Sequence, residues 1–289
     1  MRKFIVSDIH GFGNFYYTVM NYLDNISEHE EIELYINGDL IDRGLESAEI
    51  LLDLIRRIKE NKFKIEYLGG NHELMMYQVF DERRKGFYVS DYNDWYLNGG
   101  QITDDGLVQL LNDKDKILEV ADFISNLKIY HKFDEELRGK PIVLVHAACP
   151  LHVKKNCNIT IKKDNDEVFN AVWTREFDPF LPFKCKVGND KFFTIIGHTP
   201  VIYPFGYDYN SNGNYLNIDG GAAYYVKRFS EYNHFPLVEV CDNCLKILTF
   251  NNNGEIIYGN YFNGINSVLY TEDELEKEKK IITKKISLS

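Results

Sequence analysis

Short apolar runs recur along the chain, and each ends on a cluster of glycine, acid, histidine or asparagine. Lys3 to Val6 is a β-type run that delivers Ser7, Asp8 and His10 to a loop, and Ile32 to Asn37 does the same for Gly38 and Asp39. Between them, Gly13 to Ile26 is readable as a helix. Leu45 to Lys59 carries Ala48, Leu51, Leu52, Ile55 and Ile58 at the spacing that places them on one helical face. Phe63 to Leu68 predicts a third strand, and Gly69, Gly70, Asn71 and His72 predict a turn into a helix that begins near Glu73. The rhythm of strand, polar loop and helix is that of βαβ units around a parallel sheet.

Residues 86–135 have another texture, aromatic and Asn/Asp-rich around Tyr92 to Gln101, with helical patterns near Thr103 to Leu111 and Ile117 to Leu127. We read them as a helical insertion over the site, with the excess of Tyr and Phe at 87–96 as packing of the core or a lid. The strand rhythm returns at Pro141 to Val145, which leads into His146, and at Phe192 to Ile196, which leads into Gly197 and His198. Further β candidates are Tyr215 to Ile218, Leu237 to Val240, Cys244 to Phe250 and Glu255 to Tyr258, the last two joined by the turn signal Asn251 to Gly254. Thr271-x-x-Glu274 is a capping box that opens a charged tail at 271–289, read as an exposed helix or a frayed end. The chain is expected to form a single domain over 1–270.

Composition narrows the chemistry. The hydrophobic share of 44% and charged share of 27% are those of an ordinary globular protein. A net charge of −11 argues against binding to a nucleic-acid backbone, which rewards a basic surface, so any phosphate chemistry must be local to a site. Five cysteines and no secretory signal pattern suggest a reduced, cytoplasmic protein, and no run is apolar for long enough to span a membrane. Cys241-x-x-Cys244 lacks a second ligand pair and is read as a tight turn between strands. A cysteine-based phosphatase is disfavoured because Lys155 and Lys163, not arginines, stand six residues after Cys149 and Cys157.

The polar clusters themselves are SDIHG (7–11), GDLIDRG (38–44), GNHE (70–73), His146, Arg175 and GHTP (197–200). Asp, His and Asn are ligands for Mn²⁺, Fe or Zn²⁺ and not for the soft metals that thiolates select. Asp8 and His10, two apart on a strand extension, would present both side chains on one side and bind one ion together. Gly11, Gly38, Gly44 and Gly70 are read as backbone devices for tight turns. His29, His131, His152 and His234 have no motif around them and are read as surface or core residues.

This order of motifs resembles the calcineurin-like metallophosphoesterases, and the GDLIDRG and GNHE forms resemble their phosphoprotein phosphatase (serine/threonine phosphatase) branch. WTRE at 173–176 and IDGGAAYY at 218–225 are similar to its bacterial and phage members. The resemblance covers residue 7 to about residue 225 and implies an α/β (α+β) fold, a four-layer α/β/β/α sandwich of two mixed sheets flanked by helices. It implies two divalent metal ions, Mn²⁺ first and Fe or Zn²⁺ as alternatives. Asp8, His10 and Asp39 would hold one and Asp39, Asn71, His146 and His198 the other, with a water between them attacking phosphorus. It implies phosphate clamping by Arg43 and Arg175, with Asn71 and His72 also at the phosphate, and a general acid, His72, oriented by Asp42. An alternative for Arg175 is packing on an aromatic ring or pairing with Glu176. Unlike the eukaryotic members, the chain follows His146 with Ala147 and Ala148, and it lacks their C-terminal tyrosine segment.

The substrate implied is phosphoserine or phosphothreonine in a protein, or a small phosphoester. A symmetrical dinucleoside polyphosphate hydrolase, with an adenine stacked on the aromatic insertion, is the competing enzyme. A non-catalytic phosphate- or metal-binding relic is the third reading, disfavoured because every ligand and the acid are retained.

Overall fold

Strand β1 (Arg2–Val6) sends Phe4 and Val6 into one apolar cluster and Ile5 into another. Strand β2 (Ile32–Asn37) repeats the pattern with Leu34 and Ile36 on one side and Tyr35 on the other, as does β5 (Lys140–Val145) with Val143 and Val145 against Ile142 and Leu144. A side-chain period of two on strands that are apolar throughout means that both faces of each sheet are covered. Our computed structural model describes residues 1–175, 187–201, 207–209, 214–222 and 234–283.

Within these residues the remaining elements are α1 (Gly13–Ser27), α2 (Ser47–Glu60), β3 (Lys64–Leu68), α3 (Asn71–Arg84), α4 (Asp94–Leu97), α5 (Gln101–Leu111), α6 (Lys114–Ser125), β4 (Tyr130–Leu137), α7 (Asp166–Trp173), β6 (Phe193–Ile196), β7 (Asp208–Tyr209), β8 (Tyr215–Asn217), β9 (Phe235–Cys241), β10 (Cys244–Phe250), β11 (Ile256–Phe262), β12 (Ser267–Leu269) and α8 (Glu272–Thr283). Seven strands form one sheet in the order β12-β11-β10-β9-β1-β2-β3, and five form the other in the order β4-β5-β6-β8-β7. Both sheets are mixed: β1, β2 and β3 run parallel, as do β5, β6 and β8, while β9 to β12 are antiparallel. Ile5, Tyr35, Phe133, Leu144, Phe193 and Ile247 fill the space between the sheets, and the helices cover the outer faces. This is the four-layer sandwich that the resemblance implied.

Three local readings are revised. First, α3 starts at Asn71, so Asn71 and His72 lie in its first turn instead of before it. The helix is capped twice, locally by Glu73, which accepts from Gly70 N at 2.8 Å, and from another loop by Asp39 Oδ1, which accepts from His72 N at 3.1 Å. A tertiary cap leaves no local signature. Second, β1 ends at Val6, so Asp8 and His10 are not on a strand extension; both have left-handed backbone, at φ 52° and 47°. Third, the tail is neither fully exposed nor frayed through residue 283. Its capping box forms, with Glu274 N donating to Thr271 Oγ1 and Thr271 N to Glu274 Oε2. Glu278 then accepts from Tyr22 Oη at 2.5 Å and Ile281 O from Asn25 Nδ2 at 2.7 Å, docking α8 on α1. Residues 284–289 of that tail lie outside the described residues. The insertion contributes α4, α5 and α6, which pack on α2 and α3, and Cys241 and Cys244 face each other across a two-residue turn as expected.

Candidate metal centre

The polar clusters meet at the carboxyl ends of β1, β2, β3, β5 and β6, where open α/β sheets place their ligands. The β1 and β2 loops are bonded to each other along their backbones: Asp8 N to Gly38 O at 3.2 Å, His10 N to Asp39 O at 2.9 Å, Gly11 N to Leu40 O at 2.8 Å and Gly44 N to His10 O at 3.0 Å. The path requires left-handed backbone at six side-chain-bearing residues, Asp8, His10, Asp39, Asp42, Arg43 and His198. Each costs roughly 1 kcal/mol or more relative to glycine, and such strain concentrates at functional sites. Gly38 itself, at φ 77°, cannot be replaced, because a Cβ there would lie 2.7 Å from His146 Nδ1.

Three histidines are each fixed by one ring nitrogen and aimed by the other. His10 Nδ1 donates to Ile41 O at 3.1 Å, His146 Nδ1 to Asn37 O at 2.8 Å and His198 Nε2 to Trp173 O at 3.0 Å. Backbone carbonyls as partners fix the rings and turn His10 Nε2, His146 Nε2 and His198 Nδ1 inward, the arrangement of metal-ligating histidines. Two trios result, His10 with Asp39 and His72, and Asp39 with His146 and His198, with ligand atoms within 4.8 Å of one another. The carboxylate of Asp39 is divided between them: Oδ2 is 3.6 Å from His10 Nε2 and 3.9 Å from His72 Nε2, while Oδ1 is 3.3 Å from His146 Nε2. Asn71 Oδ1 joins the second trio, 3.0 Å from His146 Nε2 and 2.9 Å from His198 Nδ1.

Asp8 stands beside the trios and belongs to neither. Its carboxylate accepts from Ser7 Oγ and from His198 N at 3.0 Å, and it fits only because residue 197 is glycine, whose Cβ would come within 2.0 Å of Asp8 Oδ2. Conversely, His72 joins His10 and Asp39, although the sequence reading kept it apart from the ligands.

The electrostatics fit cations. Burial, with Asp219 and Asp39 adding repulsion, pushes the Asp8 carboxyl well above the usual range, and burial pushes Asp219 up to about 6. Although burial opposes ionisation of Asp39, His146 and His72 hold it well below the carboxylate range. Burial, with His72 adding repulsion at His10 and His146 at His198, drives both of those rings well below their ordinary value, so they are neutral. Against the burial penalty, Asp39 and Asp8 raise His146 to about 10, so the protein alone holds a proton between these carboxylates. Three buried acids, neutral imidazoles and an asparagine oxygen form a donor set suited to divalent ions, which would supply the positive charge the pocket lacks.

Around this centre, His72 Nδ1 donates to Asp42 Oδ2 at 2.6 Å, and its buried Nε2 has no hydrogen-bond partner among the described residues. Arg43 is exposed, with Nη1 3.3 Å from His10 Nε2. Arg175 is partly buried and donates from Nη2 to His198 O at 3.3 Å. Both guanidinium groups therefore flank the trios; the alternative partner Glu176 lies outside the described residues, as do 223–225 of the IDGGAAYY segment.

Sequence reasoning missed two residues. Glu73 is fully buried, and its carboxylate accepts from Asp39 N at 2.8 Å, Leu40 N at 3.0 Å, Gly70 N at 2.8 Å and Tyr67 Oη at 2.5 Å. It fixes the backbone that carries Asp39. The signal was the glutamate at the third position of α3, a place that favours backbone amides. Asp219, in the same segment as the unassigned IDGG, is 1% exposed beside Asp8.

A carboxylate shared between two inward-facing trios at the strand ends of a two-sheet sandwich defines a metal-dependent phosphoesterase. The chain belongs to the calcineurin-like phosphoesterase family, whose profile matches residues 1–226. No curated protein matches the sequence. Its fold is similar to that of a protein serine/threonine phosphatase from Saccharomyces cerevisiae with similarity to human phosphatase PP5, at 15% identity over 87% of this chain and 80% of that one, with a TM-score of 0.58. It is also similar to a cold-active protein tyrosine phosphatase, at 15% identity over 93% of this chain and 80% of that one, with a TM-score of 0.52. A protein described as a diadenosine tetraphosphatase matches at 14% identity over 86% of this chain and 93% of that one, with a TM-score of 0.50. Among the described residues, no helix is long and apolar enough to cross a membrane.

Proposed function

We propose that the protein is a phosphomonoesterase of the phosphoprotein phosphatase branch, acting on phosphoserine or phosphothreonine in proteins with two divalent ions, Mn²⁺ by preference. The observation that carries this reading is the division of Asp39 between two trios. Asp8, His10 and Asp39 would hold one ion and Asp39, Asn71, His146 and His198 the other. When bound, the ions supply Lewis acidity that activates water and neutralises phosphate charge.

The chain's own residues do the rest. Arg43 and Arg175 present planar guanidinium groups to the phosphate oxygens and stabilise the charge that builds on them during transfer. With Nδ1–H fixed on Asp42, Nε2 is the one atom of the His72 ring free to give a proton, and it faces the centre. It protonates the leaving oxygen of the ester, which matters most when that oxygen is a serine or threonine alkoxide. Asp42 keeps the ring oriented, with Nε2 turned to the centre.

The test is phosphate release from a phosphoserine peptide beside ADP release from diadenosine tetraphosphate, each with and without Mn²⁺. Metal-stimulated turnover that favours the peptide is expected. A preference of about tenfold or more for the dinucleotide would assign the second substrate class, and no metal-stimulated turnover of any ester would leave only a binding protein.

A further inference from the structure

We propose that the α4–α5 segment is the orienting shell of the acid and the phosphate clamp, with Trp95 and Thr103 as positioning residues for Asp42, and through it for His72. This rests on the role of His72 given above. It departs from reading the insertion as a cover over the substrate.

Asp42 is fully buried and has left-handed backbone at φ 74°. Its carboxylate receives the imidazole of His72 on Oδ2, and on the same oxygen Trp95 Nε1 at 2.8 Å. Oδ1 accepts from Thr103 Oγ1 at 2.6 Å, and that hydroxyl in turn accepts from Asp42 N at 3.1 Å. Thr103 thus grips both the backbone and the side chain of Asp42, and Trp95 and Thr103 leave the carboxylate no free rotation. Both donors are neutral. A cation in either place would share the charge of Asp42 and weaken its hold on the imidazole, whereas an indole N–H and a hydroxyl fix the plane of the carboxylate and leave its charge facing His72.

The donors are themselves held. Trp95 is 1% exposed and packs on Phe80 with ring centroids 5.8 Å apart. Its indole lies on Gly100, where a Cβ would fall 2.2 Å from Nε1. The same short segment reaches the next residue of the motif: Arg43 N donates to Gly99 O and Arg43 Nε to Asn98 O, each at 3.3 Å. Two consecutive residues of GDLIDRG therefore take their orientation from one turn about sixty residues away in sequence.

The experiment compares Thr103→Val, Thr103→Ser and Trp95→Phe. Turnover is measured on 4-nitrophenyl phosphate, whose leaving group needs no proton, and on a phosphoserine peptide, whose leaving group does. Manganese content is measured beside it, and the His72 Nδ1–H resonance is followed by ¹⁵N NMR in the metal-free protein. Thr103→Val should lower kcat on the peptide by about tenfold and on the nitrophenyl ester by less than about threefold, with KM and manganese content unchanged. Thr103→Ser, which keeps the hydroxyl, should restore the peptide rate. The slowly exchanging His72 signal should be lost in Thr103→Val and Trp95→Phe and kept in Thr103→Ser. Equal losses on both esters, a Ser variant as impaired as Val, or an unchanged His72 signal in Val and Phe would overturn the proposal. Should the wild type turn over neither ester, the phosphatase reading falls, and the NMR comparison still decides whether Trp95 and Thr103 position His72.

Discussion

Asp42 Oδ2 and His72 Nδ1 lie 2.6 Å apart in a fully buried pair, and this contact commits Nδ1 of the imidazole to the protein and leaves Nε2 turned to the centre. The neighbouring Asn71 points its oxygen into the second trio, so two adjacent residues at the start of α3 face different parts of the centre.

Replacing His72 by Asn should therefore leave both ions bound and lower kcat by about 10² to 10⁴ for alkyl esters, with a smaller loss for aryl esters. Metal analysis beside steady-state kinetics checks this. Loss of one equivalent of metal would show that His72 is a ligand, as its place in the trio with His10 and Asp39 also allows.

Asp39→Asn acts on both halves at once. Because each carboxylate oxygen serves a different trio, the variant should lose most of both metal equivalents and not one. Elemental analysis of protein purified in excess Mn²⁺ gives the answer, and near-normal content would refute the bridge.

Glu73→Gln keeps the shape and removes the charge that four donors share. An amide places its own N–H groups against Asp39 N, Leu40 N or Gly70 N, so unfolding free energy should fall by about 3 kcal/mol. Tyr67→Phe should cost about 1 kcal/mol by losing a single hydroxyl. Urea denaturation of the metal-free protein measures both.

Far from the centre, Glu66 lies 3.2 Å from His131 Nδ1 and 3.0 Å from Lys128 Nζ. Although burial opposes its ionisation, these partners hold it down to about 2. A carboxylate depressed on folding contributes stability above its unfolded value and loses it as pH falls towards the folded one. Between about pH 4.5 and pH 2 the melting temperature of the metal-free protein should fall more steeply in the wild type than in Glu66→Gln; parallel curves would remove the pair from the balance.

Stripping the ions with a chelator should abolish turnover and lower the melting temperature. Mn²⁺ restored to 100 times its dissociation constant should return about 2.7 kcal/mol per site. Calorimetry with and without metal reads this directly.

Much of the centre was legible because its ligands sit one or two residues beyond apolar strands, and the alternation of Phe4, Ile5 and Val6 announces the two-sided sheet. The resemblance to the metallophosphoesterases then implied the shared Asp39. What the sequence hid depends on contacts between distant segments. Thr103 and Asp42 are 61 residues apart, and nothing near either announces the other. The left-handed backbone at Asp8 and His10 has no sequence signature either, and it is what brings the Asp8 carboxylate to Ser7 Oγ and His198 N. The Asp39 part of the α3 cap escaped for the same reason, since that acceptor belongs to the loop after β2.

Asn37 closes β2 and holds the other sheet with two bonds, accepting from His146 Nδ1 and donating from Nδ2 to Val145 O at 3.1 Å. The trio of Asp39, His146 and His198 spans that same seam. An ion bound there would rivet one sheet to the other, so metal would act on the stability of the fold as well as on turnover.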